Sequence, residues 1–99
     1  MRIVRNATAG TLESSDAMVF VSPGERGIQV DLESSVYSRF GKHMEDLIRH
    51  TAEEMGAENI QIRVRDYGAL DCTLKARVEC AVYRSNDVSE NLPWGGAIK

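Results

Sequence analysis

Residues 36–66, VYSRFGKHMEDLIRHTAEEMGAENIQIRVRD, contain a change of hydrophobic period that decides the fold class. Val36, Phe40, Met44, Leu47, Ile48, Thr51 and Met55 recur at steps of three and four, the spacing of one face of an α-helix. Past Gly56 the step drops to two. Ile60, Ile62 and Val64 alternate with Gln61, Arg63 and Arg65, which puts apolar groups on one side of a β-strand and polar groups on the other. The first pattern predicts a long amphipathic helix over residues 35–55, with Ser34 or Ser35 as its N-cap. Gly56 is its stop, because glycine takes the left-handed conformation that ends many helices without steric cost. Asp66-Tyr67-Gly68 closes the strand.

Working outward, Leu70, Leu74, Val78, Ala81 and Val82 return to helical spacing and predict a second helix over residues 69–84. Upstream, the apolar run Ala17–Val21, the turn material of residues 22–27 and the strict alternation from Ile28 to Glu33 predict a β-hairpin. Ile28, Val30 and Leu32 then face a core, and Gln29, Asp31 and Glu33 face water. The order β-β-α-β-α implies an α+β domain, a small antiparallel sheet with two helices packed on one face. Residues 17–85 form this core. Residues 86–99 read as a loosely ordered tail, given Pro93 and Gly95-Gly96, with Trp94 the one residue there suited to docking. Residues 1–16, small and polar, read either as an exposed loop or as a frayed edge strand.

A chain of 99 residues fits one domain, and folding at this size buries roughly 60 to 68% of the surface that the unfolded chain exposes. An enclosed pocket of roughly 300 to 1,000 Å³ would remove much of so small a core, so a surface role is favoured over a self-contained active site. Twelve Lys and Arg are interleaved with 15 Asp and Glu for a net charge of -3, which argues against nucleic acid as a partner. No segment approaches the roughly 18 apolar residues of a membrane span, and Met1–Arg5 lacks the apolar run of a signal peptide. The expectation is a soluble, cytoplasmic protein. Cys72 and Cys80 fall on the same helix with backbones about 12 Å apart. A disulfide needs less than about 7 Å, so both are expected to be reduced.

Catalytic constellations are hard to find. There is no G-x-S-x-G, no G-x-G-x-x-G and no G-x-x-x-x-G-K. His43 and His50 share one helix face about 10 Å apart, too far for one metal ion, and read as solvated. Glu45, Asp46, Glu53 and Glu54 alternate with Lys42, Arg49 and His50 in the manner of a salt-laced surface. Cys72, beside a helix N-terminus, reads as a small buried residue. What remains is a serine pair, Ser14-Ser15, among small residues, which on spacing alone is loop chemistry.

Two blocks alter that reading. Ala9-Gly10-Thr11-Leu12-Glu13-Ser14-Ser15-Asp16 resembles the N-terminal signature of the citrate lyase acyl carrier (gamma) family, and Gly68-Ala69-Leu70-Asp71-Cys72 with Leu74, Ala76-Arg77 and Glu79 resembles its second segment. Phe40-Gly41-Lys42 and Leu92-Pro93-Trp94 also fit, so the resemblance spans nearly the whole chain. It implies a non-catalytic carrier subunit in which Ser14 holds 2'-(5''-phosphoribosyl)-3'-dephospho-CoA through a phosphodiester. On that arm the acetyl thioester is exchanged for citryl by an alpha subunit, and a beta subunit cleaves citryl to oxaloacetate and acetyl. The implied partners are these two subunits and a prosthetic-group transfer enzyme.

Ser15 takes the part of a turn residue, and Glu13 and Asp16 that of charges solvating a loop expected to be mobile. The four-helix acyl carriers of fatty acid synthesis differ, since this chain lacks their Asp-Ser-Leu motif and has strands where they have helices. The carriers of citramalate lyase and malonate decarboxylase are the neighbouring readings. An interaction module without an arm, or an enzyme with an unrecognised site, are the readings from other classes.

Overall fold

The computed structural model describes residues 3–35 and 37–86. The elements run β1 (Ala7–Gly10), β2 (Ala17–Pro23), β3 (Ile28–Ser34), α1 (Tyr37–Glu54), β4 (Ile60–Asp66) and α2 (Asp71–Ser85). The α+β class with two helices holds, and the structure adds β1 to the expected order. Val36, Trp94 and the tail lie outside the described residues.

The sheet order is β1-β2-β4-β3. The expected hairpin is split, because β4 inserts between β2 and β3, antiparallel to the first and parallel to the second. The sheet is therefore mixed. The reason lies in both faces of β4. Its inward residues Ile60, Ile62, Val64 and Asp66 are all buried, so the strand needs cover on both flanks. Its outward Arg63 and Arg65 sit in register with Asp31 and Glu33 of β3, and Arg65 Nε lies 3.3 Å from Glu33 Oε2. The parallel β3–β4 pairing thus sets opposite charges side by side across the two strands.

The inward faces of β2 and β4 meet as Val19 against Val64 and Val21 against Ile62, while Leu32 flanks Val64 from β3. Both helices cover this side, α1 over β3 and α2 over β1 and β2. From α1, Met44, Ile48, Thr51 and Ala52 are buried, and Thr51 Oγ1 donates to Leu47 O at 2.7 Å, so its hydroxyl enters the core satisfied. Gly56, at φ +73°, ends the helix as expected. Its N–H donates to Glu53 O and the Ala57 N–H donates to Ala52 O, a pair of bonds that satisfies the last carbonyls.

From α2, Leu74, Val78, Ala81 and Val82 are buried. Two residues of the helical stripes do not reach the core. Phe40 is exposed with the Arg39 guanidinium over its ring at 5.3 Å, and Leu70 is the exposed N-cap of α2. Both fall at helix beginnings, where the periodic pattern outruns the layer it would pack on.

Leu74 is fully enclosed between α2 and the sheet. Leu74→Ala should lower unfolding free energy by about 2 to 5 kcal/mol in urea titrations through the cavity it leaves. An unchanged midpoint would contradict the packing of α2 described here.

Candidate functional site

The loop joining β1 to β2 carries Ser14 at the end of the sheet where β4 runs into α2. Its entry requires Gly10. At φ +95°, a Cβ there would lie 1.8 Å from Ala17 O, so no other residue lets the strand ends approach in this way. Within the loop, Thr11 Oγ1 accepts from the Glu13 N–H at 3.2 Å and donates to Asp16 Oδ2 at 2.6 Å. The Asp16 N–H donates to Glu13 O at 3.3 Å and closes the turn.

Asp16 is the anchor. Arg77 of α2 reaches it with Nε at 3.0 Å from Oδ1 and Nη2 at 3.1 Å from Oδ2, a two-pronged charge-assisted pair, and the Ala17 N–H donates to Oδ1 at 2.7 Å. The Asp16 side chain is only 13% exposed. The Arg77 bond, then those from Thr11 and Ala17, hold its carboxyl well below the usual carboxylate range, and Asp16 in turn raises Arg77.

A second clamp is made by backbone. The Ser15 N–H donates to Tyr67 O at 2.7 Å, and the Tyr67 N–H donates to Asp16 O at 2.9 Å. Ser15 sits at φ +65°, a conformation uncommon outside glycine, which this bond helps to hold. Behind Tyr67, buried Asp66 accepts from Ser34 Oγ at 2.9 Å and from the N–H groups of Gly68 and Ala69 at 3.2 and 3.0 Å. These bonds turn the chain from β4 into α2. Ser14 stands clear of all of them: it is exposed, and among the described residues its hydroxyl has no partner.

Residues 4–85 match the family model described as acyl carrier protein, malonate decarboxylase delta subunit. A citrate lyase acyl carrier protein of Lacticaseibacillus casei is 47% identical over 94 residues, covering 95% of this chain and 92% of its own length. Another, from Halothermothrix orenii, is 44% identical, with 93% and 98% covered. The chain belongs to the citrate lyase acyl carrier protein family. A chain of a Pseudomonas malonate decarboxylase hetero-tetramer, solved in complex with malonate, superposes with a TM-score of 0.69 at 24% identity over 83% of this chain and 84% of that one. The fold is thus shared beyond close relatives, and it is distinct from a four-helix bundle.

The two sequence blocks that carry the family resemblance meet at this loop, where Asp16 and Arg77 join across 61 positions. Two expectations change as a result. Asp16 is a structural anchor for the loop, whereas the sequence suggested a solvating charge. The loop, expected to be mobile, is fastened by the Arg77 side chain and by Tyr67.

Cys72 is exposed, where burial was expected, because it occupies the first turn of α2 on the side away from the core. His43 and His50 are exposed as anticipated. His43 Nε2 lies 2.6 Å from Asp71 Oδ2, joining the two helices near the site, and His50 pairs with Glu54 along α1. Among the described residues no group of His, Cys, Asp and Glu is arranged to hold a metal ion. Arg77 and Tyr67 were missed as site residues, and only membership of Arg77 in the second block hinted at a role.

Because Asp16 is acidified by folding, the unfolded chain takes up its proton first as pH falls. The stabilisation is complete above the ordinary aspartate value of 3.8 and is lost as pH drops below it toward the native value. Asp16→Asn should therefore lower Tm at neutral pH and flatten the acid limb of a Tm-against-pH curve. Parallel acid limbs for parent and variant would refute the anchoring role.

Proposed function

We propose that this chain is the acyl carrier subunit of citrate lyase and that Ser14 is the attachment point of phosphoribosyl-dephospho-coenzyme A. One observation carries the reading: an exposed, unpartnered serine hydroxyl on a fastened loop, at the meeting point of the two family blocks. The neighbours of Ser14 fit such a group. Ser15 is small, and Asp16 has its negative charge balanced by Arg77 and does not confront an incoming phosphate alone. When bound, the group supplies a thiol on a long arm whose thioester carbonyl is electrophilic enough for acyl exchange.

The chain's own part is mechanical. Gly10 closes the base of the loop, Asp16 and Arg77 hold its far side, and Ser15 is turned outward by its bond to Tyr67. Tethering converts each encounter with a catalytic subunit into an intramolecular event, at an effective concentration in the millimolar range for a short flexible linker (on the order of 1 mM or above). The partners in this reading are the alpha and beta subunits of the lyase, which perform acyl exchange and carbon–carbon cleavage, and the setting is the cytoplasm. Citrate lyase is favoured over malonate decarboxylase because the citrate lyase relatives reach 44 to 47% identity, against 24% for the decarboxylase chain.

Intact mass spectrometry of the protein from a host with the full lyase system should show a nucleotide-sized increment that maps to Ser14. Ser14→Ala should stay within about 0.5 kcal/mol of the parent in stability, as expected for an exposed hydroxyl, while abolishing citrate cleavage by the reconstituted complex. A bare parent mass from that host, or an active Ser14→Ala complex, would overturn the proposal, and an increment mapped to Ser15 would correct the site.

A further inference from the structure

The backbone beside Ser14 leaves the sheet in a defined way. β2 and β4 pair in regular antiparallel register up to Ala17 opposite Asp66. One step further, two residues stand against one: the Ser15 N–H donates to Tyr67 O at 2.7 Å, and the Tyr67 N–H donates to Asp16 O at 2.9 Å. This is a β-bulge of the type whose first residue takes the left-handed conformation, and Ser15 does so at φ +65°. Ser15 also belongs to a turn. The Asp16 N–H donates to Glu13 O at 3.3 Å, so Glu13-Ser14-Ser15-Asp16 is a four-residue turn with positive φ at its third position alone. Such a turn favours glycine or asparagine in the place that Ser15 holds.

Serine enters this conformation at a steric cost that glycine avoids, so the surroundings have to hold it there. Besides the bond to Tyr67, Gly68 lies against the Ser15 backbone, where a Cβ on the glycine would stand 4.0 Å from both Ser15 N and Ser15 Cα. Gly68 is itself fixed by Asp66, whose Oδ2 accepts its N–H at 3.2 Å. On the other flank Asp16 is gripped by Arg77 and by the Ala17 N–H. Strain that is retained by this many bonds, one residue from the exposed Ser14, points to a use. Bulges recur beside functional sites because they end a ladder and re-aim a neighbouring side chain. Here the pairing with Tyr67 ends at Ser15, and Ser14 is the residue next to it, at the corner of the turn.

We infer that Ser15 is the positioning residue for Ser14: its left-handed backbone, held by Tyr67 O, sets the direction in which the Ser14 hydroxyl leaves the domain, and the Ser15 hydroxyl has no part in this. The inference rests on the carrier reading above and deepens it by assigning presentation of the serine to one backbone conformation. Attachment through a phosphodiester requires Ser14 Oγ to be offered from a fixed direction. Misplacement by about 1 Å is enough to cost on the order of 100-fold in rate. A loop of freely turning small residues would not keep that direction. Two properties of residue 15 are therefore separable: tolerance of positive φ, which matters, and possession of a hydroxyl, which does not.

The test reads loading as the mass increment on the full-length chain, followed over time in an extract of a host with the full lyase system. Ser15→Thr keeps the hydroxyl but, being β-branched, resists positive φ, and should slow loading by about tenfold or more. Ser15→Gly discards the hydroxyl and accepts positive φ, and should load within about twofold of the parent rate. Exchange of the residue 15 amide, protected in the parent by its bond to Tyr67 O, should quicken in Ser15→Thr and stay slow in Ser15→Gly. Melting curves check that Ser15→Thr is folded. If it is not, Ser15→Gly and Ser15→Asn, both tolerant of positive φ and both expected at the parent rate, decide the matter by themselves. Slow loading of Ser15→Gly, or a folded Ser15→Thr that loads at the parent rate, would overturn the positioning role. If the parent chain itself gains no increment, the Ser14 reading fails, a result distinct from any difference between variants.

Discussion

The structure depends on burying one face of β4 from both flanks at once. Ile60, Ile62 and Val64 are essentially removed from water, and that requires strands on either side and helices above. The same strand ends in Asp66, whose carboxylate enters the interior and is accepted there only because Ser34, Gly68 and Ala69 supply donors. The bend this produces puts Tyr67 where its backbone can grip Ser15. The core strand thus runs directly into the residue that clamps the serine loop, and a shift of register by one residue would turn the apolar groups to water and withdraw Tyr67 from the loop.

The serine loop illustrates where flexibility is placed in this molecule. A loop of small and polar residues would ordinarily sample many conformations, each lost on ordering at an entropic cost. Here Gly10, the Asp16–Arg77 pair and the Tyr67 bonds remove that freedom from the polypeptide. In the carrier reading, reach is left to the attached arm, and the protein presents its root in a defined position. The ion pair is partly shielded, with Asp16 more enclosed than Arg77, so its value is as much in fixing geometry as in net stability.

The family comparison separates fold from role. Likeness to a malonate decarboxylase chain at 24% identity extends over most of the domain, so the mixed sheet with two helices tolerates wide sequence change. The four-helix carriers of fatty acid synthesis have a different architecture, so a carrier role does not by itself imply one fold. In this chain exposed apolar groups occur in the β1–β2 loop, at the start of α1 and at the β4–α2 bend.

The sequence by itself determined the local elements, because hydrophobic period is a property of neighbouring residues: α1, β2, β3, β4 and α2 begin and end within a residue or two of where periodicity and glycine placed them. It also singled out Ser14, through two blocks of family pattern. Only the tertiary structure decided which strands pair. The alternation in Ile28–Glu33 is the same whether β3 lies beside β2 or beside β4, and the choice comes from covering β4 on both flanks, with β2 on one side and β3 on the other. The partnership of Asp16 with Arg77 was likewise invisible, since 61 positions separate them and no periodicity links a loop carboxylate to a helix guanidinium. Exposure of Phe40, Leu70 and Cys72 belongs to the same class, because whether a residue at the start of a helix is covered depends on how far the neighbouring layer extends.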